Sequence, residues 1–312
     1  MDGCGQRGCP LMDILKLRQL ALIVKCGSFS AAADVLGISQ PALSRNVRSL
    51  EQSLGVQLLE RGRFGALPTP FGLALVRHSD AIDAELRTAQ HEIDALKSAK
   101  TGQLCIGSGP SEATRLLPAA LQRLRARAPG IKVTVLYGLN EALVPMVKHG
   151  EVDFALSSIP AHSPDPDLKH VVLHEDSAAV IARPSHPLLA QRKPVQVKQL
   201  LDHQWVLARQ QELERGALDD LFHQAALTPP EAAIETTSAV LMKTLVMQSD
   251  FLTFLPRELI FWEQRGGQLR PLQLATPSWR RVVGITLRRR AAPSPAVNAM
   301  IDELQRAAHE FA

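Results

Sequence analysis

Little in this chain of 312 residues suits a membrane protein, a disulfide scaffold or an enzyme. No apolar run approaches the length needed to cross a bilayer. Its four cysteines, Cys4, Cys9, Cys26 and Cys105, are joined by no second Cys or His pair at zinc spacing. The opening residues, MDGCGQRGCPLMD, lack the apolar core of a secretory signal, so the thiols are expected in a reducing cytoplasm. Residues 1–13 read as an extension, with Met12 an alternative start to Met1. Catalytic signatures are missing as well. The run Gly107-Ser108-Gly109-Pro110-Ser111 is not G-x-S-x-G, and Gly107 and Gly109 have no third glycine three residues on. His170 and His174 fall in a stretch that reads as extended, where four residues span about 13 Å, too far for one metal ion. The chain is expected to be no enzyme and to hold neither metal nor cofactor.

What is present is concentrated near the N-terminus. Phe29 to Arg48, FSAAADVLGISQPALSRNVR, reads as two short helices joined at Gly37. Ser28 or Ser30 is placed to cap the first helix and Ser39 the second, with Pro41 in its first turn, where a missing N–H does no harm. Leu43, Val47, Leu50 and Leu54 recur at steps of four, three and four, one buried stripe. The opposite face is read as carrying Gln40, Ser44, Arg45 and Arg48. Gln suits adenine, Arg suits guanine, and Ser suits phosphates or either base type. Gly55 ends the helix, Val56 to Glu60 reads as a strand, and Arg61-Gly62-Arg63-Phe64-Gly65 as a basic tip able to grip phosphates. The whole chain carries 35 Lys and Arg against 31 Asp and Glu, net +4, yet residues 14–72 alone carry that net of +4. The positive charge is gathered where a nucleic acid would sit.

At this point the residues resemble a family. LRQLALIVKCGSFSAAADVLGISQPALSRNVRSLEQSLGVQLLER from Leu17, followed by LPTPFG, is similar to the N-terminal winged helix-turn-helix of LysR-type transcriptional regulators. The resemblance implies a DNA-binding domain, a linker helix, and a two-lobed α/β effector domain built like a periplasmic binding protein. It also implies a dimer of dimers on double-stranded promoter DNA, a small organic effector, and contact with RNA polymerase. An organic acid is one candidate effector.

The residues after the tip bear their own reading. Thr69-Pro70 starts a helix that runs to about Ala99. Leu75, Ile82, Leu86, Ala89, Ile93 and Leu96 form a heptad seam along it, which favours pairing with a second copy. From Thr101 the pattern switches to strands alternating with helices, which implies parallel βαβ units and ligand-binding clefts at strand C-termini. The expected division is an extension over 1–13, a winged helix-turn-helix over 14–72, and a linker helix over 70–100. The effector domain then occupies 101–312, with one lobe about 101–170 plus 275–312 and the other about 171–274. Candidate effector contacts are Ser108, Gly109 and Ser111, expected to open the first helix of that domain, and Thr236 and Ser238 in the second lobe. Arg209, Gly138 and Thr253 stand near the same strand ends. A solute-binding receptor is the rival reading of this half, against which the N-terminal basic unit argues.

Overall fold

A computed structural model describes residues 13–62, 65–97, 102–160, 165–276 and 279–311. Cys4, Cys9 and Arg63 lie outside the described residues. Two compact units divide the chain, residues 1–89 and 90–312.

In the first unit, α1 (Ile14–Cys26), α2 (Phe29–Leu36) and α3 (Gln40–Leu54) precede a hairpin of β1 (Leu59–Gly62) and β2 (Gly65–Pro68), and α4 (Pro70–Lys97) follows. Each start has a side-chain acceptor for a free N–H: Asp13 for Leu15, Ser28 for Ala31, and Ser39 for Ala42. Gly37, at φ +65°, closes α2 in the left-handed region that a side chain would strain. Leu17, Leu20 and Ile23 of α1, Ala32 and Ala33 of α2, and Leu43, Val47 and Leu50 of α3 meet Leu58, Leu59 and Ala66 in one core. Thr69 starts α4 by accepting from the Gly72 amide at 3.1 Å while donating to the Gln57 carbonyl at 2.8 Å. The first strand begins later than the expected Val56. Glu51 of α3 takes the Leu58 amide at 2.8 Å and the Leu59 amide at 3.3 Å, which holds residues 56–58 against the helix as a loop.

The second unit opens with β3 (Gly102–Ser108), α5 (Leu116–Arg127), β4 (Ile131–Tyr137), α6 (Asn140–Lys148), β5 (Phe154–Ile159) and β6 (Leu168–Ala182). It continues through β7 (Val206–Leu207), α7 (Leu213–Gln224), β8 (Ile234–Glu235), α8 (Ala239–Gln248), β9 (Thr253–Pro256) and α9 (Phe261–Arg265). Last come β10 (Arg270–Pro271), β11 (Trp279–Arg288) and α10 (Pro295–Phe311). Strands run in the order β10-β6-β11-β5-β3-β4, with β9 also on β6. Only β3–β4 and β3–β5 in this sheet are parallel; β5–β11, β6–β11, β6–β9 and β6–β10 are antiparallel. The expected parallel βαβ units are present through β3, β4 and β5, and the sheet as a whole is mixed. The cause is β6, fifteen residues long, which runs through both lobes and pairs antiparallel with β9, β10 and β11. Its first part pairs with β11 beside the core of Leu104, Ile106, Phe154, Leu156 and α10. Its last part pairs with β9 and β10 between two further clusters, one around Trp205 and Phe222 and one around Met242 and Val246. Trp205 is fully buried and donates its indole N–H to the Leu200 carbonyl at 3.1 Å, so its size is used without an unmet polar group. Two lobes thus share β6 and β11.

Candidate nucleic-acid interface and interlobe cleft

The first candidate site is the outward face of α3. Leu43, Val47 and Leu50 are buried, while Gln40, Pro41, Arg45 and Arg48 are exposed. Pro41, Arg45, Arg48 and Gln52 follow one another at steps of four, three and four and are all exposed, so they make one outward stripe. Neither Arg45 nor Arg48 makes a hydrogen bond or ion pair among the described residues, and both guanidinium groups are open to an outside acceptor. Ser44 departs from the expectation. It is only 8% exposed, because it sits on the flank of the apolar stripe beside Leu43 and Val47 rather than opposite it. Arg61 stands in β1, in register with Ala66 of β2, at the base of a two-residue connection. The expected tip contact, Arg63, falls outside the described residues.

A second candidate site is the cleft between the lobes of the second unit, at the C-terminal ends of β3, β4 and β5. One wall comes from Gly109 to Glu112, Gly138 to Asn140 and Ser157-Ser158, the other from Glu212 to Glu214, Thr237, Met242 and Phe254. Gly109, Gly138 and Ser111, all expected here, line it. Ser108 does not; it is fully buried and donates to the Gly109 carbonyl at 3.0 Å. Thr236 and Ser238 are also absent from the lining, and Thr237 between them takes their place. Both are occupied with their own backbone: Thr236 Oγ1 accepts from the Ser238 amide at 3.1 Å, and Ser238 Oγ caps α8 at the Leu241 amide, 3.3 Å away. Thr253 is buried and Arg209 exposed, neither in the lining.

Ser111 does not open a helix, which corrects the expectation that Ser108 to Ser111 start the first helix of this domain. The Leu117 amide bonds back five residues to the Glu112 carbonyl at 2.9 Å, so 110–115 form an irregular turn and α5 starts at Leu116. That turn exists to carry Glu112 inward. Its carboxylate folds over Gly109, where a Cβ would stand 2.4 Å from Glu112 Oε2.

Beneath the cleft lies a buried ion network that the sequence reading missed. Arg281 of β11 is 6% exposed. Its Nη2 donates to Glu112 Oε1 at 3.0 Å and to Asp176 Oδ2 at 3.0 Å, Nε to Asp176 at 3.2 Å, and Nη1 to Ser158 Oγ at 2.8 Å. Glu214 of α7 approaches Nη1 at 3.5 Å. Burial alone would lower the guanidinium pKa, but Glu112, Asp176 and Glu214 outweigh it and hold it above its ordinary value. Burial pushes the Glu112 carboxyl up against the pull of Arg281, with Glu214 and Asp176 adding to the rise. The network ties the lobes, since Glu112 and Ser158 belong to one and Glu214 to the other. A second tie runs from Arg115 Nε to Glu258 Oε1 at 2.6 Å and from Arg115 Nη2 to Glu258 Oε2 at 2.9 Å. The available signal was the pair Arg280-Arg281 set directly before the apolar run VVGI in the strand WRRVVGITLR.

Among the described residues no group of three or more His, Cys, Asp or Glu is arranged to hold a metal ion. No helix of the described residues is long and apolar enough to cross a membrane.

Comparison with known proteins places these units. Residues 14–73 match the model of the bacterial regulatory helix-turn-helix protein, lysR family, and residues 97–309 match that of the LysR substrate binding domain. The chain is 31% identical over 248 residues to the HTH-type transcriptional regulator GbpR of Azospirillum brasilense, covering 78% of this chain and 72% of that protein. It is 30% identical over 293 residues to the SDS degradation transcriptional activation protein of a Pseudomonas strain, covering 92% and 94%. Among solved structures, full-length CbnR complexed with its target DNA shares the fold at a TM-score of 0.63, with 19% identity over 95% of this chain and 100% of that one.

Proposed function

The chain belongs to the LysR family of bacterial transcriptional regulators, and from that premise we propose how its own residues carry out regulation. It is a DNA-binding regulator with an effector-binding domain, and not an enzyme. In our reading α3 enters the major groove with Gln40, Arg45 and Arg48 toward base edges, while Arg61 and Arg63 hold phosphates. The single observation that carries this is the exposed, unpartnered pair Arg45 and Arg48 on the face opposite Leu43, Val47 and Leu50. The protein acts as a dimer of dimers in the cytoplasm on promoter DNA, in contact with RNA polymerase, and governs a metabolic or catabolic operon. A small organic molecule seated in the interlobe cleft shifts the balance between two arrangements of that assembly, which is how binding in one domain alters DNA held by another.

The test is a mobility shift with DNA upstream of the protein's own gene, in the presence of competitor DNA. Arg45→Ala is expected to weaken specific binding by about 1–3 kcal/mol, about five- to a hundred-and-fifty-fold, and leave non-specific binding close to wild type. Unchanged operator affinity in Arg45→Ala would remove α3 from base recognition.

A further inference from the structure

If the cleft is the effector site, its chemistry narrows the kind of effector it takes. Its lining carries three carboxylates, Glu112, Glu212 and Glu214, against one cation, Arg281. Arg281 is already heavily committed within the network. A guanidinium offers five N–H groups; here the one on Nε, both on Nη2 and one on Nη1 donate to Asp176, Glu112 and Ser158, and Nη1 also faces the Glu214 carboxylate at 3.5 Å. A ligand carboxylate reaching Arg281 would be a fourth negative charge beside Glu112, Asp176 and Glu214, which already share that single cation.

The acceptors are in the reverse condition. Glu212, at the start of α7, is 8% exposed, lines the cleft, and its carboxylate makes no hydrogen bond or ion pair among the described residues. Asn140 opens α6 on the facing lobe. Its Nδ2 donates to the Ser158 carbonyl at 3.0 Å, which fixes the amide's orientation. The other end, Oδ1, is buried without a partner. A buried acceptor left unmet costs free energy until something donates to it. Glu212 is further stressed by its neighbours: burial raises its pKa first, and Glu141 and Glu214 raise it again, with Arg209 acting in the opposite sense. A neutral ligand could satisfy the acceptors, but only a cation also relieves this repulsion. Leu213, Met242 and Phe254 give the walls an apolar patch beside the hydroxyls of Ser111, Ser157 and Thr237.

We propose that the effector of this protein bears an ammonium or guanidinium group, held by the Glu212 carboxylate and the Asn140 amide oxygen, with a short carbon skeleton against Leu213, Met242 and Phe254. This rests on the cleft being the effector site, and it replaces the organic acid that the sequence suggested.

Three probes of one shape and different charge separate the classes: n-butylammonium, n-butyrate and n-butanol, each at millimolar concentration. Saturation-transfer NMR on the full-length protein reads their binding. Butylammonium is expected to bind at least about tenfold more tightly than butyrate, and Glu212→Gln to weaken it at least about tenfold. Glu212→Gln removes a like charge and keeps the shape, so its thermal midpoint is expected to be no lower than wild type. Thr237→Trp, at an exposed position of the rim, blocks the cleft without touching the acceptors. Butyrate binding as tightly as butylammonium, and lost in Thr237→Trp, would overturn the charge assignment while leaving the cleft as the effector site. Butylammonium binding untouched by both variants would overturn the site and the proposal together. Absence of butylammonium binding at millimolar concentration also overturns the proposal.

Discussion

Two neighbouring arginines show how far context decides what one residue contributes. Arg280 and Arg281 alternate across β11. Arg280 is 79% exposed and meets Glu175 only at 3.5 Å, a pair of the kind that solvent screens almost completely. The Arg281 side chain is 5% exposed and holds Glu112 and Asp176, themselves nearly buried. Replacing Arg281 by Met is expected to destabilise the protein by about 3–5 kcal/mol, because it leaves two or three carboxylates in the interior with no counter-charge. Arg280→Ala is expected to lie within about 0.5 kcal/mol of wild type. Urea unfolding of both variants checks this contrast; equal midpoints would show that the network contributes nothing to stability. None of this was legible in advance. A charged pair set directly before an apolar run marks something unusual, but its partners come from positions 112, 158, 176 and 214, and one chain read in order gives no means of bringing them together. Glu112 illustrates the difficulty further. Its place after Pro110-Ser111 reads as the first turn of a helix, yet its carboxylate is turned inward onto Arg281 and the helix starts only at Leu116.

Among the elements, α4 carries a pattern whose meaning changes along its length. Leu75 and Ile82 of the heptad seam are partly buried and pack into the core of the first unit. Leu86 and Ile93 are each 47% exposed, and Ala89 is exposed as well. Side chains this apolar, repeated on one face, are what a partner helix covers; Leu96, the last of the seam, has its side chain outside the described residues. Leu86→Asp is expected to abolish self-association, seen by sedimentation velocity, and to leave circular dichroism unchanged. Ile82→Asp is expected to unfold the first unit instead, since it places a charge against that unit's apolar core. If Leu86→Asp sedimented as wild type, the exposed half of the seam would not be a pairing surface. The helices of the first unit were readable because their signals are local: a cap, a stripe at 3.6-residue spacing, and a glycine at each turn. Ser44 was misplaced for a reason of degree, lying about a quarter-turn from the stripe centre, where neighbouring side chains decide whether it is covered. The mixed sheet escaped notice for a different reason. Strand direction depends on pairing between β6 and β11, about a hundred residues apart, and not on the local alternation that identifies a strand.

At the scale of the whole molecule, affinity for DNA and response to an effector are separate properties joined by an equilibrium. A ligand moves that equilibrium only by binding one arrangement better than the other, so a tight ligand without such a preference would leave regulation untouched. Symmetry adds a geometric demand. In the proposed assembly two copies of α3 read two half-sites, whose separation would follow the DNA helical repeat, about 10–10.5 base pairs or a multiple of it. The most direct test is a footprint of the full-length protein on the DNA upstream of its own gene, repeated with Arg45→Ala and Leu86→Asp. The expected result is paired protections spaced by whole turns of the duplex for the wild type. Arg45→Ala should lose both half-sites at the same protein concentration, and Leu86→Asp should lose the pairing. A single unpaired protection in the wild type, or paired protection that survives Arg45→Ala unchanged, would contradict recognition by two copies of α3.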